Sequence, residues 1–327
     1  MNTDNIAIKA QELTKSFDKI RAVDGVDFEV FSGELFGFLG PNGAGKTTTI
    51  NILTGLARPD TGTFSISGMD CVKKPRSAQH LMGVVPDESN LYPELSGIDN
   101  LCFCAALYGI KKQERRRRAE ELLEMFDLTQ AAKRKFATYS KGMKRKLTIA
   151  AGIIHKPEIL FLDEPTTGID VASARHLRRL IAKLNQAGTT IFLTTHMIEE
   201  AEKLCQRIAF IVAGKIQKID SLSNLLKPFQ NKHILQVDCS TVADGILKKL
   251  EDKFPCQNFS TQDNGVIKVE SDDPVQVGPL VRFLEEHEIE VLEARRIRQS
   301  LEEVFVRITG IEADDLKKSK SPEGNKK

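Results

Sequence analysis

Residues 40–48 read GPNGAGKTT and follow the apolar run Leu35-Phe36-Gly37-Phe38-Leu39. A glycine-rich turn that closes on a lysine and a hydroxyl, between a strand pattern and a helix pattern, makes a phosphate cradle. Gly40, Gly43 and Gly45 let the backbone fold into a nest that a Cβ would block. The N–H groups of such a nest, with the positive end of the following helix, hold polyphosphate oxygens. Lys46 adds a point charge toward β- and γ-phosphates, and the hydroxyl of Thr47 can ligate Mg²⁺. An ordinary strand-to-helix turn needs neither group at that offset.

A second set lies downstream. Ile159-Leu160-Phe161-Leu162 suits a strand buried on both faces of a parallel sheet. It ends in Asp163-Glu164, which puts two carboxylates in the crevice where such sheets bind ligands. Asp163 would hold Mg²⁺, directly or through water. Glu164 points elsewhere and would polarise an attacking water. A third strand pattern, Thr190 to Thr195, stops at His196. The ring Nε2 there can sense a γ-phosphate oxygen. Finally, Tyr139-Ser140-Lys141-Gly142-Met143 precedes apolar residues at helical spacing, Leu147, Ile149, Ala150, Ile153 and Ile154. Ser140 therefore N-caps a helix whose first turn carries Gly142. That is a second anion-binding helix start, and one nucleotide seldom needs two. Its economical use is to complete a nucleotide held by another copy of the protein.

Over residues 6–220 the order and spacing of these motifs resemble the ATP-binding subunit of an ABC transporter. The resemblance implies ATP and Mg²⁺ as ligands. It makes the whole Walker A loop nucleotide-binding: Gly40, Pro41, Asn42, Gly43, Ala44, Gly45, Lys46, Thr47 and Thr48. LFLDEP is similar to the Walker B strand, with Glu164 as its catalytic glutamate, and His196 to the switch histidine. Phe17 stands where the family stacks adenine. Thr167-Gly168-Ile169-Asp170 resembles the loop that couples two active sites, which brings Asp170 into the nucleotide set. YSKGM stands for the signature motif, with Lys141 and Met143 as departures, while Ser140 and Gly142 remain to donate to a γ-phosphate. Val84-Val85-Pro86-Asp87 has aspartate where the family has glutamine; Asp87 can reach Mg²⁺ or its water but cannot donate a hydrogen bond. These departures, with LEEVFVRITG at Leu301 to Gly310, resemble ATPase subunits of type-2 exporters in drug resistance, sodium extrusion and glycan export.

Elements must position these groups. Alternating strand and helix patterns over residues 1–226 imply an α/β P-loop NTPase domain of the ABC type, with early antiparallel strands and a parallel core. An inserted helical lobe is expected at about 97–155. Residues 227–231 read as a linker. Residues 232–310 read β-α-β-β-α-β, a small α+β domain of ferredoxin-like order. It carries no chemistry and reads as a packing or pairing appendage. Residues 311–327, rich in Lys, Ser, Glu and Asp, read as a disordered tail.

Composition bounds the partners. The 327 residues carry 47 basic and 45 acidic side chains, a net charge of +2, so no global field favours nucleic acid. The six cysteines show no metal spacing and suit reduced thiols in the cytosol. No apolar run approaches the length of a membrane span. The resemblance implies as partners a second ATPase subunit, as homodimer or pair, and an integral membrane permease. The expected place is cytoplasmic, peripheral on the inner face of the plasma membrane. Segment 87–96, with Leu91 and Tyr92 read as exposed, is the expected permease contact. A soluble ABC ATPase acting on nucleic acid or ribosomes is the competing class. The interval from Lys46 to Ser140 has neither the heptads nor the CxxC of repair types, and one nucleotide set argues against the tandem ribosomal type.

Overall fold

The computed structural model describes residues 5–74, 78–227, 233–241, 245–262, 265–297 and 300–311. In the first of two units, β1 (Ile6–Phe17) and β2 (Ile20–Phe31) form a long antiparallel ribbon. Sequence reading expects β2 only over Phe28–Phe31. Gly25, at φ 63°, breaks the apolar alternation, and the ladder absorbs it with register shifts along β1 between Ala10 and Ser16. Then come β3 (Leu35–Leu39), α1 (Lys46–Leu53), β4 (Thr61–Ile66), β5 (Met69–Asp70) and β6 (Met82–Val85). The helical lobe holds α2 (Gly97–Leu107), α3 (Lys112–Met125) and α4 (Lys141–Ile153). The chain continues through β7 (Ile159–Asp163), α5 (Val171–Gln186), β8 (Thr190–Thr195), α6 (Ile198–Leu204), β9 (Arg207–Val212) and β10 (Lys215–Ser221).

Two sheets result. One is antiparallel, in the order β2-β1-β4-β5. The other runs β10-β9-β3-β8-β7-β6, parallel throughout except for β10. Ala213 and Gly214, at φ 48° and 80°, make the tight β9–β10 turn. Phe28 faces Phe36, Phe38 and Phe192, with ring centroids 5.7–6.0 Å apart, and these rings fill the core. All residues of β3, β7 and β8 are buried, as central strands covered on both faces must be. Leu39 pairs with Thr195 and Asp163 with Thr194, so the three strands end level and their loops emerge side by side.

Within the lobe, Asn100 is fully buried; its amide donates to Tyr92 O and its Oδ1 accepts from Tyr92 N. That clasp turns Leu91 inward to 6% exposure and leaves Tyr92 outside at 49%. The expectation that both are exposed is corrected for Leu91: a backbone pinned on Asn100 alternates its side chains in and out.

After α7 (Leu222–Leu226) the second unit contains β11 (His233–Cys239), α8 (Ile246–Lys253), β12 (Asn258–Gln262), β13 (Val266–Ser271), α9 (Val277–Glu286) and β14 (Val291–Ile297). Its sheet runs β12-β13-β11-β14 with every neighbouring pair antiparallel. Leu235, Val237, Leu250, Ile267, Val269, Leu280 and Leu284 form its core. The units divide at Leu222/Ser223, and the described residues from Phe305 onward group with the first. Phe305, in α10 (Leu301–Thr309), packs edge-on against Phe210 of β9 at 5.3 Å. The expected boundaries at 226 and 310 therefore miss a chain that leaves the first unit and comes back. The expected linker and tail lie outside the described residues, apart from Lys227 and Ile311. Among the described residues, no helix is long and apolar enough to cross a membrane.

Candidate functional site

The loop after β3 is shaped by its glycines. Gly45 stands at φ 100°, and a Cβ there would lie 2.1 Å from Ala22 O. A Cβ on Gly40 would lie 2.1 Å from Ile211 O, so the loop presses directly on the backbone of β9. Ala44 is buried; its N–H donates to Pro41 O and its carbonyl accepts from Gly214 N–H. Lys46 opens α1 and curls back, its Nζ donating to Gly40 O at 2.8 Å and Pro41 O at 3.1 Å. The same Nζ lies 3.1 Å from Glu164 Oε1.

Glu164 follows β7 in a left-handed conformation, φ 49°, which costs a non-glycine residue about 1–3 kcal/mol and tends to mark functional sites. Its N–H is held by Thr194 O at 3.1 Å. Its Oε2 accepts from Thr167 Oγ1 at 2.8 Å and contacts His196 Nδ1. Burial alone would raise its pKa, but the His196 hydrogen bond and the Lys46 charge outweigh that and hold it down to about 2. Glu164 is thus a carboxylate clamped between two cationic or donor groups. Asp163 is 3% exposed, with Oδ1 accepting from the Thr194 hydroxyl. Burial pushes the Asp87 carboxyl up; Arg145 opposes this and the nearby Glu164 and Asp163 charges add to it.

Lys46, Asp87, Glu164 and His196 share a cleft of about 640 Å³. Asn42, Gly43, Gly45, Lys46, Thr47 and Thr48 line one side, and Asp87, Glu164, Thr167 and His196 contribute the rest with Ala22. Gly40, Pro41 and Ala44 sit behind the loop as its support. Asp163, the last residue of β7, is not among the lining residues, and four further expected residues also lie outside it. Phe17 is 52% exposed, with Lys15 Nζ 5.5 Å from its ring. Ser140 caps α4 by accepting from Met143 N–H at 3.3 Å, and Asp170 caps α5 by accepting from Ser173 N–H at 2.9 Å. Gly142 joins those two caps, since a Cβ on it would be 2.5 Å from Ser173 Oγ and 3.7 Å from Asp170 Oδ2.

Two residues escaped sequence reading. Arg145 hides in the basic run Lys144-Arg145-Lys146, yet it is 7% exposed and donates to Pro165 O, Asp87 O, Pro86 O and Asp163 O. Its helical register was the available signal: three residues after Gly142 and four before Ile149, it falls on the buried stripe. Glu200 of α6 is 1% exposed and accepts from Thr166 Oγ1 at 2.7 Å. It links the loop after β7 to the turn that carries His196.

Comparison with known proteins agrees with this geometry. The family profile described as ABC transporter matches residues 23–167. The chain is 35% identical over 306 residues to the linearmycin resistance ATP-binding protein LnrL of Bacillus subtilis, covering 93% of this chain and 98% of that one. It is 36% identical over 330 residues to the daunorubicin/doxorubicin resistance ATP-binding protein DrrA of Streptomyces peucetius, covering 100% and 99%. Among solved structures, the dimeric bacterial ABC transporter cassette MJ0796 superposes with TM-score 0.62 at 28% identity, over 66% of this chain and 98% of the cassette. The chain belongs to the ABC transporter family as an ATP-binding, ATP-hydrolysing subunit that energises transport.

Proposed function

We propose that this chain pairs with a second copy, or with a related ATPase subunit, around ATP and Mg²⁺, and that the cycle drives export through a separate membrane permease. One observation carries this reading. Lys46, Thr47, Asp87, Glu164 and His196 share a cleft, whereas Ser140, Gly142 and Asp170 cluster outside its lining. Donors for a γ-phosphate that a chain keeps away from its own cradle are available to a neighbour's. MJ0796, similar in fold and sequence, is described as dimeric and as bound to ADP and Pi after hydrolysis.

In the proposed cycle, Lys46 exchanges Glu164 and the loop carbonyls for the β- and γ-phosphates. The hydroxyl of Thr47 and the carboxylates of Asp163 and Asp87 form a hard-oxygen donor set that fits Mg²⁺ beside phosphate. Held by these residues, the ion would supply neutralisation of phosphate charge. Glu164, freed from Lys46 and already deprotonated, takes the proton of the attacking water. His196 contacts Glu164 through Nδ1 and would present Nε2 to the γ-phosphate. Phe17, exposed at the C-terminal end of β1, would stack adenine. Exposed Tyr92, resting edge-on against Phe103 at 5.0 Å, is the proposed permease contact. On this reading the subunit works at the cytoplasmic face of a membrane. Relatives named for resistance to linearmycin and daunorubicin support export as the direction.

Glu164→Gln tests the scheme. It should bind ATP, accumulate as a dimer in sedimentation and lose turnover by about 100-fold or more, the usual scale for removing a general base. Normal hydrolysis, or a chain that stays single with ATP and magnesium both alone and with its permease, would refute it. Stimulation by nucleic acid and not by a membrane subunit would favour the soluble class instead.

A further inference from the structure

A buried guanidinium must satisfy five N–H groups in one rigid plane. Arg145, in the second turn of α4, places four of the five on backbone carbonyls: Nε donates to Pro165 O at 2.9 Å, Nη1 to Asp87 O at 2.9 Å and to Pro86 O, and Nη2 to Asp163 O. The targets belong to two segments, the turn after β6 and the end of β7. The choice of carbonyls is informative. A side chain that served only to neutralise Asp87 or Asp163 would bond their carboxylates. Gripping the main chain instead fixes the point from which each carboxylate projects. The other end of the same helix turn has no slack either, because Gly142 fits against Ser173 with no room for a methyl group.

We infer that Arg145 is a positioning residue that locks the Ser140–Gly142 turn of α4 to the backbone beneath Asp87, Asp163 and Glu164. The turn a subunit lends to its neighbour's nucleotide and the carboxylates serving its own then move as one body. Engagement at one site sets the geometry of the other, and hydrolysis becomes cooperative across the pair. That role presupposes the paired subunits proposed above, so the test reads pairing separately.

Arg145→Gln, with one amide donor group, and Arg145→Lys, with charge but no planar fork, are compared in the full chain. Both should melt cooperatively and keep KM for ATP within about threefold of the native value, while kcat falls at least about tenfold, the split expected when binding survives and transition-state alignment does not. The Hill coefficient for ATP should fall toward 1. A folded variant with native kcat and Hill coefficient overturns the inference. So does failure of both variants to fold, which would make Arg145 a structural strut. ATP-driven pairing of the Glu164→Gln chain with Arg145 intact separates the readings. If it does not pair, both fall; if it pairs and the Arg145 variants turn over normally, only this one falls.

Discussion

Glu164 and Glu200 are buried carboxylates whose surroundings pull them in opposite directions. Lys46 and His196 hold Glu164 ionised down to about pH 2 against the penalty of burial. Its folded value lies below its unfolded one, so it stabilises the fold above the ordinary glutamate range, and that contribution is lost as pH falls from about 4.5 toward 2. Burial raises Glu200, and the hydroxyls of Thr166 and Thr195 oppose that only in part. Its cost is absent at low pH and grows as pH rises above the ordinary value of 4.5. Glu200→Gln keeps the acceptor for Thr166 and removes the charge. Relative to the native chain, its Tm should gain more at pH 8 than at pH 4. Thermal melts at the two pH values check it; parallel shifts would mean that Glu200 is not penalised.

At the scale of elements, legibility followed burial. β3, β7 and β8 are covered on both faces, so their continuous apolar runs announced them along with the polar groups at their ends. Asp163, Glu164 and His196 stood out as candidates because they close or directly follow such runs, and Lys46 because it ends the glycine-rich loop after β3. β2 was mostly hidden, because Gly25 interrupts its period. α7 was missed because five residues carry too little period to read. Arg145 and Glu200 were missed because a charge inside a helix reads as solvent-facing until its neighbours are known. Phe192 shows how the sheets depend on one another: its ring lies 5.4–5.8 Å from Phe28, Phe36, Phe38 and Phe161. Phe192→Ala should cost about 3–5 kcal/mol in chemical denaturation. It should also weaken ATP binding, because β8 carries Thr194, which holds both Asp163 and Glu164.

For the whole molecule, the test of shared sites is a mixed pair. Ser140→Arg on one subunit and Lys46→Ala on its partner place both lesions in a single site and leave the other intact. The same two changes on one chain, paired with a native subunit, spoil both sites. Turnover should survive only in the split arrangement, measured on purified heterodimers. A second expectation concerns the end of the chain. Phe305 is fully buried against Phe210, so Phe305→Ala should destabilise the nucleotide-binding unit by about 3 kcal/mol or more, seen as a lower denaturant midpoint. Because the polypeptide departs at Leu222 and re-enters at Phe305, the accessory unit is spliced into its host and does not trail from it. An engineer who wished to exchange it would have to make two junctions in register, and a single stop codon ahead of it would also strip Phe305 from the host's core.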